Sequence, residues 1–190
     1  LVINFYNERR KQLLDVVPNA GHLGVADLER DFNVTVVTQN VDNLHERAGS
    51  TRVIHLHGEL TKVCSSRDPY NPHFIKELKP EEYEVKLGDK AGDGSQLRPF
   101  IVWFGEAVPE IETAVKYVEK ADIFVIIGTS MNVYPAAGLL HYVPRAAEVY
   151  LIDPKPVDTH VMRPIHVIRK GASEGVKELK ASLADTPRSS

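Results

Sequence analysis

Three short polar strings could do chemistry in this chain. The first, Thr38-Gln39-Asn40-Val41-Asp42, follows the β-branched run Val34-Thr35-Val36-Val37. Amides and a carboxylate grouped where a strand ends suit a sugar diol or a carboxamide, ligands that offer donors and acceptors without charge. The same residues suit a second role, since Asn40 or Asp42 can cap a helix that starts near Val41. The second string, His55-Leu56-His57-Gly58-Glu59, sets two histidines two residues apart, which puts them on one face of a strand. Such a pair lacks an evident third metal ligand nearby, and there is no H-E-x-x-H helix. A histidine beside a glycine at a strand end suits a general base working near neutral pH. The other reading of each is a satisfied structural histidine; we keep it for His55, and on these residues alone both readings stay open for His57. The third string is Gly128-Thr129-Ser130. Its glycine lets a phosphate or ribose approach the backbone, and its hydroxyls can donate to it. A plain strand-to-helix turn reads the same way.

The elements that must hold these strings alternate. Asn4–Leu14 reads as a helix with Ile3, Phe5, Tyr6, Leu13 and Leu14 on one broad apolar side and Glu8, Arg9, Arg10 and Lys11 between them. Pro18 stops it. Gly21–Arg30 is a second helix, weakened by Gly24. Strands are expected at Val34–Thr38, Val53–His57, Ile101–Phe104, Ile123–Ile127, Val149–Ile152 and Ile165–Ile168, from their β-branched and apolar runs. Helices are expected at Glu110–Ala121, Tyr134–Val143 and Ser173–Leu183. Strands alternating with helices imply right-handed crossovers, hence an α/β fold with a doubly wound, mostly parallel, Rossmann-like sheet. The segment 64–99 breaks the pattern with Pro69, Pro72, Pro80 and Pro99 and many charges, and is expected to form a small inserted lobe. Ligands of such sheets bind at the carboxyl ends of strands. The clusters at 38–42, at 128–130 and at Asp153-Pro154 are expected to converge on one crevice.

Composition narrows the class. The chain has 190 residues, 43% hydrophobic and 26% charged, which suits one globular domain and excludes a disordered chain. The net charge of −3 is no footprint for nucleic acid or an anionic membrane. No apolar run approaches the ~18 residues of a membrane span. The single cysteine, Cys64, excludes an internal disulfide and a four-thiolate zinc site. A reducing, cytoplasmic setting is the simplest expectation.

Taken together, the strings resemble the sirtuin family of NAD-dependent protein-lysine deacylases. The carrying residues are TQNVDNLHERAG (38–49), HLHGEL (55–60), VWFGE (102–106), GTSMNVYPAAG (128–138) and LIDPKP (151–156), in family order. The resemblance implies NAD as cofactor, and acylated lysines of proteins as substrates. It implies His57 as the base that activates a ribose hydroxyl. The acyl carbonyl oxygen attacks the ribose carbon bearing nicotinamide, and nicotinamide and 2′-O-acyl-ADP-ribose are released. Asn40 and Asp42 resemble residues of the nicotinamide pocket, and Gln39 a ribose contact. Gly128, Thr129 and Ser130 resemble phosphate and ribose contacts on the adenine side. Asp153 stands where the family usually has asparagine, and its carboxylate can still accept from a diol. Ala172 resembles the position whose backbone meets adenine. Val102, Phe104, Gly105 and Glu106, with Asn132 and Val133, resemble the two edges between which a substrate peptide lies as an added strand. Tyr6 and Arg9 resemble the acyl-binding pair of the bacterial, desuccinylase-like class. Three apart on a helix, they share a face, and a guanidinium with a phenol can grip a succinyl or malonyl carboxylate. The other reading of that pair is that Tyr6 packs and Arg9 is a solvated charge.

Two departures from the family pattern matter. The family carries two Cys-x-x-Cys pairs for structural zinc between the HGE and WFGE strings; here Cys64 stands alone, and Asp68, His73 and Glu77 lack zinc-knuckle spacing. No zinc or other metal is expected. The family pattern also places a strand and a Gly-Ala-Gly loop, roughly fifty residues, ahead of anything matched by Leu1–Val17. The chain is thus expected to be one deacylase domain, 1–190, lacking that glycine-rich strand and loop. A chain without that loop could instead be an inactive module that binds ADP-ribose, NAD or a partner. A hydride-transfer enzyme is a weaker alternative, because no Gly-x-Gly-x-x-Gly loop is present.

Overall fold

The structure is a computed structural model that describes residues 1–103, 106–128, 136–156 and 163–185. In chain order its elements are α1 (Val2–Leu14), α2 (Ala20–Asp27), β1 (Val36–Thr38), α3 (Leu44–Ala48), β2 (Val53–His55), β3 (Gly58–Ser65), β4 (Lys76–Glu77), β5 (Leu97–Ile101), α4 (Ile111–Val118), β6 (Ile123–Ile127), α5 (Ala136–Leu139), β7 (Glu148–Ile152), β8 (His166–Ile168) and α6 (Ala172–Ala184). Contacts divide the chain into two units. One holds Leu1–Val17, Thr38–Leu44 and His55–Val108; the other holds Pro18–Val37, His45–Ile54 and Pro109–Ser190.

The second unit carries the parallel sheet. β6, β7 and β8 lie side by side, with Ile123 opposite Glu148, Ile127 opposite Ile152 and Ile152 opposite Ile168. Its core joins Tyr150, Ile152 and Ile168 of the sheet to Leu28 and to Val176, Leu179 and Leu183 of α6. Those three residues recur at helical spacing, which is why α6 forms where its sequence alternates apolar and charged residues. Asn19 opens α2 with a capping box: its side chain accepts the His22 N–H, and the His22 ring accepts the Asn19 N–H. Gly24 does not interrupt this helix. A Cβ there would lie 2.8 Å from Val176 Cγ1, so its absence lets α2 approach α6. Of the helix expected over 134–143, α5 and a 3₁₀ turn at Leu140–Tyr142 cover 136–142, and residues 134 and 135 lie outside the described residues.

The first unit is built on an antiparallel sheet in the order β4-β3-β5. This sheet holds segment 64–99 together with residues on both sides of it. β3 is the longest strand in the unit, yet its sequence hides it. Glu59 and Lys62 pair at 2.7 Å, and the β5 register shifts between Glu59 and Val63, so the apolar alternation slips. The strand expected over 53–57 ends at His55, and Leu56-His57 form a turn into β3. His55 and His57 therefore do not share a strand face. The strand expected at 101–104 lies earlier, at Leu97–Ile101.

α1 spans the residues its sequence suggests, but the most buried positions on its inward face are polar. Phe5 is 56% exposed and Leu14 45%, whereas Asn7 and Arg10 are buried at 8% and 3%. Arg10 Nε donates to Leu60 O at 2.8 Å, and its Nη1 donates to Asn7 Oδ1 at 2.7 Å and Tyr83 O at 3.0 Å. Asn7 completes the network by donating to Val85 O at 2.7 Å and accepting from Val85 N at 2.9 Å. Carbonyls whose neighbours are strands and turns draw this face inward, a demand that apolar periodicity cannot register.

A Cβ at Gly175 would sit 2.2 Å from Ile152 Cγ2. Gly175→Ala is expected to lower unfolding free energy by about 1–3 kcal/mol despite the better helix propensity of alanine. Urea denaturation of the two proteins measures it.

Candidate active site

The sharpest geometry lies in the first unit, where the chain runs from Thr38 to Leu44 beside the 55–58 turn. Leu56 N donates to Thr38 O at 3.0 Å, and Leu60 N to Val41 O at 2.8 Å. These bonds set His57 Nε2 3.4 Å from Gln39 Oε1. His57 is half-buried, with its backbone carbonyl accepting from Val102 N at 2.9 Å. The turn that presents it depends on Gly58, whose φ of +90° favours glycine. A Cβ there would meet Phe100 O at 2.1 Å, closing the ladder to β5. His55 has a different environment. It is buried, its Nδ1 lies 3.1 Å from Asn40 O and its Nε2 3.8 Å from Glu59 Oε1. It is a positioned core histidine that holds the 38–42 stretch.

Within that stretch Asp42 Oδ1 accepts from Leu44 N at 3.1 Å, and Asn40 N donates to Thr38 Oγ1 at 3.0 Å. Asp42 is thus in part the cap that its sequence also suggested. Asn43, which no motif reading singled out, has a buried Oδ1 with no hydrogen-bond partner among the described residues. An orphan acceptor beside exposed Asn40 and half-buried Gln39 is a donor-hungry environment, and it fits a carboxamide or ribose hydroxyl of NAD.

The second unit gathers its own set. Gly128, Asp153 and the Gly171-Ala172 start of α6 follow the carboxyl ends of the adjacent strands β6, β7 and β8. Gly128 N donates to Ile152 O at 3.3 Å, Asp153 N to Ile168 O at 3.1 Å, and Asp153 Oδ1 accepts from Lys155 N at 2.8 Å. Gly128 has a φ of +62°, and a Cβ on it would meet nothing within 4 Å among the described residues. Nor does any side chain cap α6 at Gly171. Open space over a glycine and an uncapped 13-residue helix suit a phosphate-bearing ligand. Thr129, Ser130, Asn132 and Val133 lie outside the described residues, as do Phe104 and Gly105.

Tyr6 packs edge-on against Trp103, with centroids 5.6 Å apart. Arg9 is exposed, its guanidinium 5.8 Å from the Phe5 ring centroid. Glu106 Oε1 accepts from Trp103 N at 3.0 Å, and Glu106 Oε2 from the Tyr70 hydroxyl at 2.6 Å. Tyr70, Arg98 and Trp103 carried no signal as site residues in the sequence; Tyr70 is 36 positions from its partner.

The residues near Cys64 do not fit a structural zinc. Cys64 is fully buried with Sγ 3.7 Å from Pro99 O, and burial pushes its thiol up to about 11, although the nearby Arg98 opposes this. Zinc binds the thiolate, which this environment disfavours. The next residue instead closes the lobe. Ser65 Oγ accepts from Arg67 N at 3.1 Å and Asp68 N at 2.9 Å, donates to Asp93 Oδ2 at 2.5 Å and lies 2.8 Å from Ser95 Oγ.

The Sir2 family profile matches residues 2–135. This chain belongs to the Sir2 family. An NAD-dependent protein deacylase of Bacteroides thetaiotaomicron is 83% identical over 187 residues, covering 98% of this chain and 80% of the relative. One of Helicobacter pylori is 46% identical over 184 residues, covering 97% and 78%. The crystal structure of a Sir2 homolog–NAD complex superposes with a TM-score of 0.78 at 35% identity, covering 95% of this chain and 72% of that one. The Rossmann-like α/β class read from the sequence is that of these structures.

Hydrogen bonds from Ser65 and Ser95 hold the Asp93 carboxyl down at about 2, below its ordinary 3.8. Its contribution to stability is full above the ordinary value and is lost as pH falls through about 2. Asp93→Asn is expected to lower Tm at neutral pH, with the difference from wild type closing between pH 4 and pH 2, as read by circular dichroism. A metal chelator is expected to leave the wild-type Tm unchanged.

Proposed function

We propose that the chain is an NAD-dependent protein-lysine deacylase, with acetyl-lysine and acidic acyl-lysines, succinyl or malonyl, as substrates. The observation that carries this reading is His57 held 3.4 Å from Gln39, beside the orphan acceptor of Asn43, in a chain of the Sir2 family. NAD supplies an activated bond to nicotinamide and a ribose hydroxyl as acyl acceptor. The residues of the chain do the rest. His57 takes the proton of a ribose hydroxyl, and Gln39 orients the imidazole that receives it. Asn40 and Asn43 hold the carboxamide side by neutral hydrogen bonds, and Asp42 accepts a charge-assisted one on the oxygen that α3 leaves available. Gly128 lets a phosphate approach the backbone, the open N–H groups at Ala172 attract the ligand at the start of α6, and Asp153 accepts from a diol. The edge at Val102 and Glu106 offers backbone to an extended peptide.

Tyr6 and Arg9 set the acyl preference. The Trp103 contact turns Tyr6 inward, and Arg9 stands one helical turn away with its guanidinium unpaired by any carboxylate among the described contacts, ready to accept one from substrate. The alternative of a binding module without turnover is separated by product chemistry.

Wild-type protein with NAD and a succinyl-lysine peptide is expected to release nicotinamide and desuccinylated peptide, read by mass spectrometry. His57→Ala is expected to lose about 10²–10⁴ in rate. Arg9→Met is expected to lose about 10- to 100-fold in desuccinylation and less in deacetylation. NAD binding with no product from wild type favours the binding module, and equal losses in Arg9→Met refute the acyl role.

A further inference from the structure

Trp103 is clamped from three sides within the first unit. Its indole meets the Tyr6 ring at 5.6 Å and the Arg98 guanidinium, whose carbon lies 4.9 Å from the ring centroid. Its backbone N–H donates to Glu106 Oε1 at 3.0 Å, and its carbonyl accepts from Glu106 N at 3.0 Å. Glu106 is the hinge of the clamp: its Oε1 also lies 3.7 Å from Arg98 Nη2, and its Oε2 accepts the Tyr70 hydroxyl at 2.6 Å. Arg98 is itself tied down, donating to Ile101 O at 2.9 Å. The Tyr70 ring packs edge-on to Phe100 of β5 at 6.3 Å. The Glu106 carboxylate thus holds two hydrogen bonds and an ion pair from three different residues, and the indole meets a cation and a phenol.

We infer that Tyr70 and Arg98 are positioning residues that set the affinity of the site for acyl-lysine peptide, by fixing Glu106 and the Trp103 indole against Tyr6. The inference rests on the deacylase reading for the identity of the ligand. It follows from the physics of the clamp. A carboxylate that loses the phenolic donor keeps Trp103 N–H and Arg98 but can swing, and the indole moves with it. Replacing Arg98 by lysine keeps the charge and loses the flat face that stacks on the ring. Neither residue touches the reacting atoms, so chemistry on bound substrate is unaffected and binding is not.

The single tryptophan makes the clamp directly readable, since all tryptophan emission comes from Trp103. Tyr70→Phe keeps the ring on Phe100 and removes only the hydroxyl. In the free protein, Tyr70→Phe and Arg98→Lys are expected to increase acrylamide quenching of Trp103. In calorimetric titration, each is expected to weaken succinyl-lysine peptide binding about 3- to 10-fold, with NAD affinity and Tm unchanged. The corresponding kinetic signature is a raised KM for peptide at constant kcat. Wild-type quenching and wild-type peptide affinity in both variants overturn the inference. A matched loss of peptide and NAD binding with a lowered Tm also overturns it, because that is the mark of a merely structural role. Wild type that binds no acylated peptide overturns the inference together with the functional reading, whereas wild type that binds it equally with Tyr70→Phe overturns the inference alone.

Discussion

The placement of α1 depends on one buried guanidinium. Arg10 is 3% exposed, and its bonds reach Leu60 of β3, Asn7 of its own helix and Tyr83 beyond β4. Burial pulls its pKa below the usual arginine value, a direction that marks the desolvation the hydrogen bonds must offset. Its Nη2 has no partner among the described residues. A charge in such a place tolerates few helix orientations, because each donor must meet its carbonyl. The roll of α1 follows. At about 100° per residue, Tyr6 lies on the flank just beyond Arg10, and Arg9 lies further out. That is why Tyr6 is half-buried against Trp103 while Arg9 stays in solvent.

The same economy governs the sheet behind His57. The antiparallel pair β3 and β5 closes on Gly58, and Val102 N binds the His57 carbonyl just past that closure. The histidine is therefore held by its backbone, leaving the ring to Gln39. His55 spends its ring on the Asn40 carbonyl and faces Glu59. Two histidines of one string thus differ: His55 is occupied on both ring nitrogens, and His57 shows one long side-chain contact of 3.4 Å among the described residues. A weakly engaged imidazole on a rigid backbone is what a proton-transferring group requires.

The turns around β3 and β5 are held by a serine hydroxyl and an aspartate. Ser65 is fully buried and collects two backbone N–H groups of the following turn, the donors that would otherwise be orphaned there. Its own proton goes to Asp93, whose other oxygen takes Ser95 N and Oγ at 3.0 and 2.6 Å. The turn that ends β3 and the turn before β5 are joined by that carboxylate. Cys64 points elsewhere, into the core against Pro99.

Much was legible from the order of residues alone. The runs Ile123–Ile127 and Val149–Ile152 declare buried parallel strands, because side chains that pack on both sides of a strand must be apolar throughout. The stretch after Thr38 and the residue Gly128 stand just past strands β1 and β6, and polar clusters after apolar runs are readable without coordinates. Other features depended on partners far away in the chain. β3 was hidden because its charges pair with each other and its register slips. Gly24 looked like a helix breaker and is a contact with Val176, 152 positions on. Arg10 read as one of the charges between the apolar residues of α1 and is buried with Asn7 on its inward face. The sequence by itself determined the family, the apolar strands of the parallel sheet and the chemical types that follow them, since these are local patterns of polarity. Only the tertiary structure decided which helix face is buried, which histidine is committed and which residues clamp Trp103. Hydrogen bonds to backbone carbonyls and contacts across tens of residues carry no periodic signal that the chain could display along its length.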